Sequence, residues 1–158
     1  MKQLQNQLPL RDPRYSHPLC AMPTAKVLLG QTEDGIFALL DEGAVVAVDI
    51  RTPDAIKRDL RILTASIAAH LAGDNEALAA ITPERAVQMI LAPANHARPV
   101  FLGTEIKRLL NCGRKHVVNL VTTGALPLAP GSVLRRGVGG TPTVERAALE
   151  RFLTSRIQ

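Results

Sequence analysis

The strongest constraint on this chain is that much of it is written twice, because a duplicated unit bounds the architecture before any element boundary is drawn. Residues 24–45 (TAKVLLGQTEDGIFALLDEGAV) align with residues 105–126 (EIKRLLNCGRKHVVNLVTTGAL) at a constant offset of 81. Identities fall at Lys26/Lys107, Leu28/Leu109, Leu29/Leu110, Leu39/Leu120, Gly43/Gly124 and Ala44/Ala125. Apolar character is kept at Ala25/Ile106, Ile36/Val117, Phe37/Val118, Leu40/Val121 and Val45/Leu126, the positions of a helical core face. A second match, residues 62–71 over residues 144–153, runs at offset 82, so the copies differ by one residue across their middle. The chain reads as two copies of one module.

In the second copy, Ile106, Leu109 and Leu110 recur at i, i+3, i+4 and predict a helix over 104–110, followed by a turn at 111–113. Val117, Leu120 and Val121 predict a second helix over 114–123, and Gly124 suits a left-handed position at its end. That is a helix-turn-helix. Residues 132–136 and Thr143-Val144 flank the glycine-rich segment 137–140 and read as a two-stranded hairpin. Residues 145–157 read as a final helix with Ala148, Leu149, Phe152 and Leu153 inward. Between the copies, Thr82-Pro83 ahead of Glu84, Val87, Ile90 and Leu91 predicts an N-capped helix, and Pro93 and Pro99 mark a linker.

Charge separates the two halves. Residues 1–79 carry 8 Lys+Arg against 10 Asp+Glu, a net of −2, whereas residues 80–158 carry 11 against 4, a net of +7. A basic half of this kind points to a polyanion as partner.

The run LLNCGRKHVVNLVTTGALP, then RRGVGGTPTV, then ERAALERFLTSR, resembles the excisionase-like and MerR-type winged-helix DNA-binding domains over roughly residues 99–156. The resemblance implies a mainly α fold with small β-hairpin wings, arranged as two tandem winged helix-turn-helix modules joined by a helical linker. The corresponding division is an N-terminal tail at 1–17, a first module at 18–73, a linker at 74–98 and a second module at 99–158. It further implies sequence-specific binding to double-stranded DNA, by a transcriptional regulator or an accessory factor for a recombinase, in the cytoplasm of a bacterium or on a phage or mobile element; the alternative is a protein-interaction or adapter module built on the same helix-turn-helix units. In that family the second helix enters the major groove and the wing touches the flanking backbone.

On this reading Arg114, Lys115, His116 and Asn119 occupy the exposed positions of helix 114–123 and reach base edges and phosphates. Arg135 and Arg136 on the wing, with Lys107 and Arg108 on the first helix, clamp the backbone. The first copy departs from the pattern, with Glu33, Asp34 and Gly35 where the second has Arg114, Lys115 and His116. A phosphate backbone repels that pair of carboxylates, so the first module is expected to give secondary DNA contacts at most, through Arg51, Lys57 and Arg58 with Arg61 beside them, or to face protein. Because one such module makes few phosphate contacts, a homodimer or a DNA-assembled oligomer is expected, with Val87, Ile90 and Leu91 either as dimer contacts or closing the core of the first module, in which case assembly occurs only on DNA. Residues 96–158 are expected to bind duplex DNA alone.

Other chemistry finds less support. Cys112 and His116 have a one-face spacing, but two ligands do not make a tetrahedral zinc site, and no metal or other cofactor is expected. The GVGG stretch at 137–140 lacks the Lys-Ser/Thr of a phosphate-binding loop. No catalytic triad or carboxylate pair stands out, so an enzyme is not expected. The four aromatic residues are too few for a single-strand stacking platform. No apolar run approaches a membrane span and the polar N-terminus lacks the apolar core of a secretory signal, so no membrane partner is expected. Two distant cysteines fit reduced thiols.

Overall fold

A computed structural model describes residues 17–94, 99–132 and 142–158. The elements are β1 (Leu19–Ala21), α1 (Met22–Leu29), α2 (Glu33–Asp41), β2 (Ala47–Asp49), β3 (Leu60–Leu63), α3 (Thr64–Ala72), α4 (Asn75–Ala79), α5 (Pro83–Leu91), β4 (Val100–Leu102), α6 (Gly103–Leu110), α7 (Arg114–Thr122), β5 (Thr143–Glu145) and α8 (Arg146–Arg156). Helices therefore dominate, accompanied by two small antiparallel sheets: one with strand order β1-β3-β2, the other pairing β4 with β5.

The offset in the sequence carries into the backbone. β1, α1 and α2 start at 19, 22 and 33, and β4, α6 and α7 start at 100, 103 and 114, each 81 residues later. Strand register repeats as well, since Cys20 faces Ile62 in the first sheet and Phe101 faces Val144 in the second. The left-handed turns coincide too: Gly30 (φ 61°) matches Asn111 (φ 50°), and Gly43 (φ 71°) matches Gly124 (φ 81°).

Local chemistry explains the helix starts. The Thr32 hydroxyl accepts from the Gly35 N–H at 3.2 Å, and the Thr82 hydroxyl from the Arg85 N–H at 3.2 Å with Pro83 in the first turn. At α6 the Glu105 carboxylate reaches back to the Leu102 N–H at 3.2 Å.

The three-stranded sheet is buried on both faces. Alternation along the strands sends Cys20, Ala47, Leu60 and Ile62 to one side, where Ala25 of α1, Ile36 of α2 and Ile67 of α3 cover them. Leu19, Val48, Ile50 and Leu63 point the other way, into a second core built from α5, α6, α7, α8 and Phe101. Ile157 and Gln158 then pair with the free edge of β2: Val48 bridges Ile157, and Gln158 N–H donates to the Ala47 carbonyl at 2.9 Å. The two halves thus share a core and a sheet edge.

This arrangement corrects two expectations and redirects a third. Val87, Ile90 and Leu91 are buried against α6 and α8 rather than offered to a second chain. Their i, i+3, i+4 stripe was sound, but its cover is intramolecular, and each such side chain contributes about 1.5–3 kcal/mol by leaving water. Residues 74–98 accordingly include a helix of the main core, not a linker between separate bodies, and residues 96–158 alone would leave uncovered the apolar surface that Leu19, Val48, Ile50 and Leu63 fill. Thr143–Glu145 takes β4 as its strand partner, while the Ala129 N–H donates to the Thr143 carbonyl at 2.8 Å and the Ser132 hydroxyl accepts from the Thr143 N–H at 3.0 Å. Residues 133–141, with Arg135, Arg136 and the GVGG stretch, lie outside the described residues. The hairpin that is described belongs to the first half, where β2 and β3 flank a loop closed by Ile50 N–H to the Asp59 carbonyl at 2.9 Å.

A shared core should unfold as one unit. Hydrogen exchange under increasing denaturant is expected to show the β3 and α8 amides opening at a common midpoint, and Ile90→Ala should lower the stability of both by about 2–5 kcal/mol. Loss of α8 protection at a midpoint well below that of β3 would contradict it.

Candidate nucleic-acid interface

Helix α7 exposes Arg114, Lys115 and Asn119 while Val117, Leu120 and Val121 enter the core. Lys107 and Arg108 are exposed on α6, the preceding helix. The two helices meet at Asn111, whose left-handed backbone makes the tight turn; asparagine is among the few residues with a side chain that adopt this conformation readily.

The electrostatics of α7 stand out against its counterpart. A helix N-terminus carries roughly +0.5 of a charge, so acidic residues in the first turn stabilise a helix and basic ones oppose it. In the first half, α2 follows this rule: Thr32 caps it, and Glu33 and Asp34 occupy its first turn. At the equivalent place α7 has no side-chain cap, no acidic residue in its first turn, and Arg114 and Lys115 instead. Positive side chains are thereby added to the helix end where free N–H groups already favour an anion.

His116 lies elsewhere than expected. Its side chain is 22% exposed, and its Nε2–H donates to the Ile50 carbonyl of the first half. Nδ1 of the same ring lies 3.9 Å from the Asp59 carboxylate. Next to it, the Arg61 guanidinium donates to the Asn111 carbonyl at 2.9 Å and pairs with Asp59 at 2.6 Å, while the Asn111 amide donates to the Leu19 carbonyl at 3.1 Å. The turn and first residues of α7 are therefore fastened to β1, β3 and the loop between β2 and β3. His116 is a structural tie in this arrangement, not an exposed reader. Arg61, expected as a secondary DNA contact, is instead spent on the Asn111 carbonyl and Asp59, and Asn111, expected only as part of the turn, stands where the first copy has Gly30; Asp49 and Asp59 have no signal in the sequence.

The loop of residues 51–58 is held at its base by Asp49. This buried carboxylate accepts from the Arg51 and Asp59 N–H groups, each at 3.1 Å, and pairs with the Arg51 guanidinium at 3.2 Å. Arg51 also donates to the Ile56 carbonyl at 3.0 Å, and Arg156 from α8 donates to the Arg51 carbonyl at 3.1 Å. Arg58 lies over the Phe37 ring, 4.6 Å from its centroid, and donates to Gln158 at 3.3 Å. Lys57 and Ile56 are exposed. A groove of about 500 Å³ runs between this loop and residues 155–158.

Among the described residues, no group of three or more His, Cys, Asp or Glu is placed to hold a metal ion, and no helix is long and apolar enough to cross a membrane. Burial pushes the Cys20 and Cys112 thiols up to about 11, the nearby Arg61 opposing the shift in each case and Asp59 adding to it for Cys112. Both are neutral at physiological pH.

Two outcomes follow. Asp49→Ala leaves two N–H groups at the loop base without their acceptor and should cost about 1–3 kcal/mol in urea unfolding, whereas Asp49→Asn, which keeps an acceptor oxygen, should cost less; equal losses would assign the role to charge alone. Raised thiol pKa values mean that the folded chain keeps protons that the unfolded chain releases between about pH 9 and 11. Alkylation of the native protein should therefore be slow at pH 8 and still rising beyond pH 10, and a plateau near pH 9 would contradict this. No protein-family model, curated protein or solved structure matches this chain, so the reading of its surface rests on the geometry above.

Proposed function

We propose that the chain binds double-stranded DNA as a pair of tandem winged helix-turn-helix units, with α7 of the second unit in the major groove. The observation that carries this reading is the first turn of α7. There Arg114 and Lys115 accumulate positive charge against the helix dipole, while the repeated position in α2 carries Glu33 and Asp34. Side chains that oppose their own helix are understandable where an anion is to be met. Arg114 and Asn119 are suited to bidentate contact with guanine and adenine, and Lys115, Lys107 and Arg108 to phosphates. Arg135 and Arg136, outside the described residues, fit the backbone contact of a wing. His116 leaves the reading set because its ring is bonded to Ile50. The biological role is regulation of transcription or assistance to a recombinase, and any dimer formed on DNA would use a surface other than Val87, Ile90 and Leu91.

A second reading is favoured by one observation on the first unit. Helix α2 exposes Glu33, Asp34, Asp41 and Glu42 beside the half-buried Phe37, Leu39 and Leu40, a surface that repels phosphate and suits a protein. On this reading the first unit docks a protein partner while the second holds DNA.

Titration of a labelled duplex at several salt concentrations tests the main reading. Binding should weaken steeply with salt, and Arg114→Ala should cost about 1–3 kcal/mol on the preferred sequence. Undiminished binding by Arg114→Ala/Lys115→Ala would overturn it, and salt-insensitive or absent binding by the intact chain would leave protein docking as the better account.

A further inference from the structure

We infer that the loop of residues 51–58, although it belongs to the first unit, serves as a wing for the helix-turn-helix of the second, carrying Lys57 to the DNA backbone beside α7. The inference rests on the DNA-binding reading above and adds to it a contact made across the two units.

Its basis is the convergence of both loop stems on one side chain of α7. Ile50 precedes the loop and Asp59 follows it; the imidazole of His116 donates to the carbonyl of the first and lies 3.9 Å from the carboxylate of the second. Ile50 and Asp59 are themselves joined by a backbone hydrogen bond of 2.9 Å, so the loop leaves the fold through a closed neck fixed to the first turn of α7. His116 follows Arg114 and Lys115 directly, which puts the neck next to the residues proposed to meet DNA. Arg156, donating to the Arg51 carbonyl, fastens the same stem to α8. The loop is therefore oriented by the second unit as well as by its own.

The side chains on the loop divide accordingly. Arg51 is occupied with Asp49 and the Ile56 carbonyl, and Arg58 with the Phe37 ring and Gln158, so both shape the loop from within. Lys57 and Ile56 point to solvent, Ile56 with 94% of its surface exposed. A cation next to an apolar side chain on a basic loop is the pairing that architectural proteins use at a minor groove, the cation for phosphate and the apolar group for the groove or a base step. Duplex DNA fits this loop better than a protein does, because Lys57 and Arg58 outweigh Asp54 once Arg51 is paired with Asp49, and the neck that carries them is bonded to His116, the residue after Arg114 and Lys115.

The test uses the full chain, with Lys57→Ala and Ile56→Asp, both at exposed positions that leave the core intact. Lys57→Ala should weaken duplex binding by about three- to tenfold and lower the slope of log K against log[salt] by about 1. Ile56→Asp should weaken binding by more than about tenfold, since it sets a carboxylate against the phosphates. In a His116→Ala background, where the neck loses its tie to α7 and keeps those to Asp49 and Arg156, the slope change caused by Lys57→Ala should shrink; an undiminished change would overturn the part assigned to His116. If the intact chain binds DNA and loses affinity on Arg114→Ala/Lys115→Ala, yet either loop variant keeps the affinity and slope of the original, the cross-unit wing is overturned while the DNA-binding reading stands. If the intact chain shows no salt-dependent binding, the parent reading fails and this one with it.

Discussion

A β-strand with one buried face and one wet face alternates polar with apolar residues, and its neighbours need cover it only once. The strands of the first sheet have lost that freedom. Leu19, Val48, Ile50 and Leu63 require cover from one side and Cys20, Ala47, Leu60 and Ile62 from the other, so helices must stack on both. Burial on two faces also fixes register, because a slip of one residue would exchange the two sets and drive Arg61 into an apolar core. The first unit can satisfy one face with α1, α2 and α3; the second face obliges it to hold the other half of the chain.

That obligation determines how the basic helix is presented. Arg61 emerges on the face turned towards the second unit and finds its acceptor in the Asn111 carbonyl, while Asn111 returns a bond to Leu19. The tight turn between α6 and α7 is thereby seated on the sheet, and α7 inherits its orientation from a strand some fifty residues earlier in the chain. Placing Arg114 and Lys115 at an uncapped helix start works against the intrinsic stability of α7. Packing of Val117, Leu120 and Val121, together with the hydrogen bond from His116, offsets that cost.

Much of this was legible in the residues. Helical periodicity located α5, α6, α7 and α8, the Thr82-Pro83 pair located the start of α5, and the repeat offset anticipated equal spacing of elements in the two halves. What periodicity cannot supply is the identity of the cover. Val87, Ile90 and Leu91 form the same stripe whether a second chain or α8 lies against them. His116 likewise sits on the outer arc of α7 by helical geometry; only the carbonyl of Ile50, brought close by the fold of the other unit, turns it inward. One clue was overlooked. Residues 44–48 read AVVAV, a run too continuously apolar for a strand with a solvated face, and 60–63 read LRIL with Arg61 as the one polar residue, which implies a second layer of cover.

The pairing of Ile157 and Gln158 with β2 bears on the order in which the chain can become ordered. β2 is made more than a hundred residues before the segment that completes its edge, and until then it presents unpaired backbone groups and an apolar face to the surroundings. During synthesis the first unit would remain an incomplete sheet while α5 to α8 are still being added, open meanwhile to a neighbouring strand from another molecule. Contacts so distant in sequence slow the search for the native state. A sheet whose edge strand waits for residues more than a hundred positions later thus has a folding problem that neither repeat would have alone.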